Sequence, residues 1–204
     1  PQSMKEAAKI VQDLGFDGVD INMGCPDKSV VKIGAGSALI ENPDLAKELI
    51  EETRLGAPNI PLSIKTRIGF NNPKTQEWAN FLLKLGIDCL IIHGRTKKQM
   101  SKVPANWEEI KKAVVLRNEL GVKSLVVGNG DILSYQSGLQ KHLEYSVDGI
   151  MVGRGILANP WFFAPLQLRS AQGEINLPSH SIAEKLNLLL KHANLFEQTW
   201  GKTK

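Results

Sequence analysis

Cys89-Leu90-Ile91-Ile92-His93-Gly94-Arg95-Thr96 begins as an unbroken apolar run and ends in a histidine, a glycine, an arginine and a threonine. A strand that is hydrophobic at nearly every position suits a parallel sheet covered on both faces. The polar end marks where the chain leaves it. Four other runs read the same way: Gly18-Val19-Asp20-Ile21-Asn22-Met23, Ile60-Pro61-Leu62-Ser63-Ile64-Lys65, Ser124-Leu125-Val126-Val127-Gly128 and Gly149-Ile150-Met151-Val152-Gly153. Stretches with apolar residues at helical spacing separate them: Ser3–Leu14, Asn42–Leu55, Thr75–Leu85, Trp107–Leu120 and Ser134–Leu143. Asn42 reads as an N-cap, followed by Pro43 in the first turn. Alternating strands and helices imply right-handed βαβ units in a parallel sheet.

An open doubly wound sheet and a closed (β/α) barrel both have this alternation. The polar and glycine-rich residues favour the barrel, because they follow the carboxyl end of every strand: Asn22-Met23-Gly24-Cys25, Lys65-Thr66-Arg67, His93-Gly94-Arg95-Thr96, Gly128-Asn129-Gly130-Asp131 and Gly153-Arg154-Gly155. In a barrel these ends converge on one mouth, where barrel active sites sit. Five strands are legible and a closed barrel has eight, so about three further βα units are expected ahead of Pro1. After Asn159-Pro160 the pattern changes. Trp161–Leu168 reads as helix, 170–179 as a polar loop, and Ser181–Trp200 as one long amphipathic helix with Ile182, Leu186, Leu189, Leu190 and Ala193 on one face. The expected organisation is a partial barrel over 1–160 and the start of a helical domain over 161–204.

A chain of 204 residues suits one domain with a short appendage. No apolar run approaches the roughly 20 residues that span a bilayer, and Pro1–Lys5 carries no apolar leader; a cytoplasmic protein is expected. The net charge of +4 permits a polyanionic partner without demanding one. The two cysteines, Cys25 and Cys89, lie far apart and match no metal spacing. A disulfide between them is not expected in a cytoplasmic chain.

Cys25 lies between Gly24 and Pro26, just after a strand, and so in a turn at the mouth. An ordinary thiol has a pKa near 8.5 and is mostly protonated at neutral pH. It can act as a general acid, or as a nucleophile if a base lies beside it. Cys89 sits inside an apolar run and reads as core. Lys65 closes its run, and a buried strand-end ammonium needs an anion or carbonyl as partner; Arg67 follows two residues on. His93 ends its strand at the same face, with Arg95, Lys97 and Lys98 adding charge. Lys28 and Lys32, next to the cysteine, either meet phosphates or are merely solvated. The glycine loops around Asn129-Gly130-Asp131 and Gly153-Arg154 end the last two strands, where barrels often bind phosphate. Residues alone thus predict a barrel with a phosphate-bearing ligand, a thiol and a cationic mouth.

Six ordered motifs carry a more specific resemblance: Asp20-Ile21-Asn22-Met23-Gly24-Cys25-Pro26, Gly34-Ala35-Gly36-Ser37-Ala38-Leu39, Lys65-Thr66-Arg67-Ile68-Gly69, His93-Gly94-Arg95-Thr96, Gly128-Asn129-Gly130-Asp131 and Gly153-Arg154-Gly155. Together they resemble the tRNA-dihydrouridine synthases over about Ala7 to Phe163. The resemblance implies an α/β fold, an FMN-binding TIM (β/α)8 barrel followed by a helical domain that helps grip tRNA. It implies an FMN-dependent oxidoreductase that reduces the C5–C6 double bond of uridine in tRNA with NADPH, needing no metal and no obligate protein partner. Cys25 matches the proton donor, and Lys65 and His93 match contacts to the flavin ring. Asn129, Gly130 and Asp131, then Gly153 and Arg154, match the loops that hold the FMN phosphate and ribityl chain. Asn22 matches a residue facing the uracil. Arg67, Arg95 and Thr96 are expected beside the flipped nucleotide or its phosphates. The alternatives are a flavin barrel acting on a free pyrimidine and a non-catalytic phosphate- or RNA-binding barrel; the basic mouth and the His93–Thr96 segment favour RNA.

Overall fold

Pro61 decides where the second strand starts. Proline has no N–H to give to a ladder, so the strand begins at Leu62, and the Pro61 carbonyl accepts the Val19 N–H instead (2.9 Å). At its other end the strand, read as ending at Lys65, runs on to Arg67, which pairs with His93. The computed structural model describes residues 1–163 and 180–201. Its elements in order are α1 (Gln2–Asp13), β1 (Val19–Met23), α2 (Lys28–Lys32), a 3-10 turn (Gly36–Glu41), α3 (Pro43–Gly56), β2 (Leu62–Arg67), α4 (Thr75–Lys84), β3 (Cys89–His93), α5 (Trp107–Leu120), β4 (Leu125–Asn129), α6 (Tyr135–Tyr145), β5 (Gly149–Met151), α7 (Gly155–Ala158) and α8 (Ile182–Trp200). The short α2, the 3-10 turn and α7 carry too few residues to show helical periodicity in the sequence. The chain divides into two units, Pro1–Phe162 and Phe163–Lys204. The helix expected over 161–168 lies, beyond Phe163, outside the described residues, as does the loop 170–179.

In the first unit all four strand pairings are parallel and the sheet order is β1-β2-β3-β4-β5. A doubly wound sheet reverses its strand order at a switch point. Here there is none, and the run is the singly wound arrangement of a (β/α) barrel. Successive side chains on a strand point to opposite faces. One set, including Ile21, Met23, Leu62, Ile64, Leu90, Ile92 and Val126, packs with Ile50, Leu82, Leu83 and Ile110 of the helices in one hydrophobic core. The alternate set carries Asp20, Asn22, Ser63, Lys65, Arg67, His93 and Asn129 on the other face. Asn42 caps α3 by accepting the Leu45 N–H (3.2 Å).

At the amino ends of the strands two carboxylates fasten neighbours together. Asp88 Oδ2 accepts the Leu62 N–H (2.8 Å) and an Arg54 Nη2 donor (2.9 Å). Asp148 Oδ2 accepts the Val126 N–H (2.7 Å) and an Arg117 Nη1 donor (2.8 Å). Each aspartate just before a strand thus holds an N–H at the start of the strand before it.

In the second unit α8 begins with a reciprocal cap: Ser181 Oγ accepts the Glu184 N–H (3.2 Å) and Glu184 Oε2 accepts the Ser181 N–H (2.7 Å). Its Ile182, Leu186, Leu189 and Leu190 are exposed. No helix among the described residues is long and apolar enough to cross a membrane.

Asp148→Ala removes an acceptor shared by a strand N–H and a guanidinium. Urea unfolding is expected to show a loss of about 1–3 kcal/mol. Asp13→Ala, which deletes the exposed pair with Lys9, is expected to change little. Equal effects would contradict the clamp.

Candidate active site

The register brings the polar ends level. Arg67 pairs with His93 and His93 with Asn129, whose partner on β5 is Met151. On the first two strands, Asn22 lies beside Lys65. The Cys25 turn sits next to this row. Asn22 Oδ1 accepts the Gly24 N–H (3.0 Å), which closes the turn and leaves the Asn22 amide NH2 as a donor. The Cys25 carbonyl accepts the Ser37 N–H (3.0 Å). Gly36 has a left-handed φ of 58°, and a Cβ there would lie 2.9 Å from the Cys25 carbonyl oxygen. The Gly34–Leu39 motif therefore props the cysteine turn from behind, a role its sequence does not reveal.

Arg67 is only 7% exposed. Its Nε donates to the Gly24 carbonyl (2.7 Å), and its Nη1 donates to the carbonyls of Thr96 (3.2 Å) and Met100 (3.1 Å). It ties the cysteine turn to the loop after β3. Burial and then the Arg95 charge work against this cation, whereas a negative charge on Cys25 works for it.

Arg95 is 4% exposed. Its Nη2 donates to both Asp131 oxygens (2.6 Å each) and its Nε to the Val103 carbonyl (2.5 Å). Its Nη1 lies 3.2 Å from His93 Nε2. A guanidinium has no lone pair to accept with, so Nε2 accepts and the imidazole proton sits on Nδ1. Burial, then the Arg67, Lys65 and Arg95 charges, push His93 down to about 3, with Asp131 opposing. The ring is thus a neutral donor through Nδ1. Its Nε2 edge faces Gly130, where a Cβ would come 3.2 Å from Cδ2 and 3.5 Å from Nε2. Asp131 holds a left-handed φ of 56° and also accepts the Ala105 N–H (2.8 Å). Its partial burial opposes ionisation, but Arg95, the Ala105 N–H and the Arg154 charge outweigh that.

Hydrogen bonding separates the expected site residues into two groups. Arg67, Arg95 and Asp131 are engaged internally. So is Thr96, fully buried and exchanging two bonds with Gln99 (2.8 and 3.2 Å). Asn129 Nδ2 donates to the Met151 carbonyl (2.8 Å). Against these stand groups without a hydrogen-bond partner among the described residues: the free Cys25 thiol, the Asn22 amide NH2, the Lys65 ammonium and His93 Nδ1. Burial, and next the Arg67 charge, push Lys65 below its ordinary range against the pull of Asp20. An unpaired, part-buried ammonium is costly, and a ligand carbonyl or anion would relieve it. Gly153 and Arg154 are exposed on the last loop. Among the described residues no base is hydrogen-bonded to Cys25, which removes the usual support for a nucleophilic role. Trp107 was not singled out from sequence; its indole N–H donates to the Gly130 carbonyl (3.1 Å) and sets the height of that loop. A tryptophan at the first position of a helix after a polar loop was its only signal.

A family model described as dihydrouridine synthase matches residues 1–204. A Staphylococcus epidermidis protein named "Probable tRNA-dihydrouridine synthase" is 40% identical over 199 residues, covering 97% of this chain and 57% of its own length. "Probable tRNA-dihydrouridine synthase 2" of Bacillus subtilis is 41% identical over 199 residues, covering 97% and 58%. The chain thus spans less than two thirds of the length of these relatives. Among solved structures, 2,3-dimethylmalate lyase of the PEP mutase/isocitrate lyase superfamily aligns with a TM-score of 0.56 at 14% identity, covering 97% of this chain and 79% of that one. Oxaloacetate acetylhydrolase aligns with a TM-score of 0.53 at 14% identity, covering 98% and 81%. At such identities the likeness concerns the fold alone.

His93 binds a proton less readily folded (about 3) than unfolded (ordinary value 6.5). Its contribution to stability is complete above pH 6.5 and declines as the pH falls towards 3, by at most about 1.4 kcal/mol per unit. NMR titration is expected to show no protonation of this ring between pH 8 and 5. A midpoint near 6.5 would contradict the arrangement.

Proposed function

The chain belongs to the dihydrouridine synthase family, and on that premise we propose that the protein reduces the C5–C6 double bond of a uridine in tRNA, with FMN as resident cofactor, NADPH as reductant and Cys25 as proton donor. The observation that carries it is the set of uncommitted groups at one mouth. A thiol, an amide NH2, an ammonium and an imidazole N–H lie at the ends of neighbouring strands with no hydrogen-bond partner among the described residues. These are the donors that a ring bearing carbonyls would need.

Lys65 and His93 Nδ1 fit the polar edge of a flavin. The 129–131 loop and Gly153-Arg154 fit its ribityl chain and phosphate, with Arg154 as the forked cation. A bound flavin would supply the hydride, which no side chain here can supply. The remaining work falls to the chain. Asn22 offers its NH2 to a uracil carbonyl and holds the cysteine turn through its Oδ1. Cys25 would hold a proton on Sγ and give it to C5, the other half of an addition whose hydride the flavin would supply at C6. Solvent returns the proton to Sγ. Arg67, Arg95 and Thr96 act by fixing the turn and the imidazole rather than by touching the nucleotide. The target base must leave its stack to enter such a pocket. The segment 161–204, which contains α8, is assigned to gripping tRNA, and the protein to the cytoplasm.

In the full-length protein, Cys25→Ala is expected to retain its flavin and to accept electrons from NADPH, yet to slow dihydrouridine formation in unmodified tRNA by about 100-fold or more. Full activity would remove the proton-donor role, and equal rates on free uridine and on tRNA would remove the RNA substrate. Arg154→Ala is expected to weaken flavin retention more than tRNA binding; the reverse ranking would contradict its placement.

A further inference from the structure

A cleft of about 440 Å3 opens beside the cysteine turn, lined by Pro26, Asp27, Lys28, Asn71, Lys97, Lys98 and Met100. Pro26 is the residue next to Cys25, so the cleft adjoins the proposed proton donor. We propose that it binds backbone phosphates of the RNA strand carrying the target uridine; this rests on the tRNA reading above and assigns a place and residues to the contact.

The charge there is unbalanced. None of Lys28, Lys97 and Lys98 has an ion-pair partner among the described residues. Asp27 is the one carboxylate in the lining, its Oδ1 accepting the Ser29 N–H (2.8 Å) and hydroxyl (2.5 Å), so one negative charge stands against the three ammoniums. Arg67, which donates to the Met100 carbonyl in the cleft wall, is satisfied by carbonyls alone, so its charge is not cancelled either.

Lys97 and Lys98 stand on a loop tied down by its backbone, and Lys28 opens α2. Lys97 N–H donates to the Gly69 carbonyl (2.9 Å), Lys98 N–H to Phe70 (2.9 Å) and Met100 N–H to Lys97 (3.2 Å). Met100 holds a left-handed φ of 51°, and Arg67 grips its carbonyl. Lys97 Nζ lies 4.7 Å from the centre of the Phe70 ring. A non-glycine residue in that conformation costs free energy, and gathering like charges costs more. An anion would offset the second cost. Ammonium groups act as point charges, which suits sequence-independent phosphate contacts, while base choice is left to the pocket. A nucleotide whose base is turned into the mouth carries its own phosphates to the rim.

Phosphate oxyanions also occur on NADPH, so the test has two arms. In the full-length protein, Lys28→Ala/Lys97→Ala/Lys98→Ala is titrated with labelled unmodified tRNA over a range of salt concentrations. The expected result is weaker binding at low salt and a shallower slope of log K against log salt. The change in slope should be about 2, since each single-strand phosphate that is no longer neutralised takes away roughly 0.7. Lys123→Ala, in the loop between α5 and β4, serves as control and should keep the wild-type slope. A wild-type slope in the triple variant overturns the proposal, as does a defect confined to reduction by NADPH without tRNA. Failure of the wild-type protein to form dihydrouridine would instead overturn the function above.

Discussion

Side chains on five parallel strands alternate between two environments, and everything else follows from that parity. Ile64, Leu90, Ile92 and Val126 face the helices and are buried in the core. Their neighbours Lys65, Ile91, His93 and Val127 face the other way. A slip of one residue in β1 or β2 would put Asp20 or Lys65 in the core and turn Ile21 or Ile64 to the other face. The hydrophobic cost of that exchange fixes the register, and the register places Arg67, His93 and Asn129 side by side. The chemistry at the mouth is therefore positioned by apolar residues that never touch it.

Polar residues at the mouth divide into those that hold and those that wait. Arg67 fastens two loops, Arg95 with Asp131 fixes one tautomer of His93, and Asn129 ties β4 to β5. These bonds are made before any ligand arrives, so no reorganisation is needed when it does. Lys65, His93 Nδ1, the Asn22 amide and the Cys25 thiol are left over. A fold that satisfies most of its buried groups and leaves a few donors facing one place has the arrangement expected of a site.

The repeating units were legible in the sequence because each is local. The apolar run Cys89–His93 and the helix Trp107–Leu120 fall where periodicity puts them. The start of β2 did not, because Ile60 and Pro61 continue the apolar pattern while Pro61 lacks the donor a ladder needs. The strand ends pointed to a common mouth, and the sheet order bears out the barrel. Less legible were the partners. Arg67 reaches back 43 residues to Gly24 and forward 33 to Met100, and no local pattern records such contacts. The resemblance places Arg67, Arg95 and Thr96 beside the nucleotide; in the fold Arg95 and Thr96 are held by internal bonds, and Arg67 is held through Nε and Nη1. Nothing local in the sequence records that Gly36, with its left-handed φ, lies against the Cys25 carbonyl.

The most direct measurement is a crystal structure of the full-length protein with FMN and a uridine-bearing RNA fragment. Ligand atoms should lie within hydrogen-bond distance of Lys65 Nζ, His93 Nδ1 and the Asn22 amide, with Cys25 Sγ against the uracil ring, while Arg67 and Arg95 keep their present partners. Arginines that release those partners to hold the ligand, or a Lys65 and His93 left in solvent, would contradict the division between holding and waiting groups.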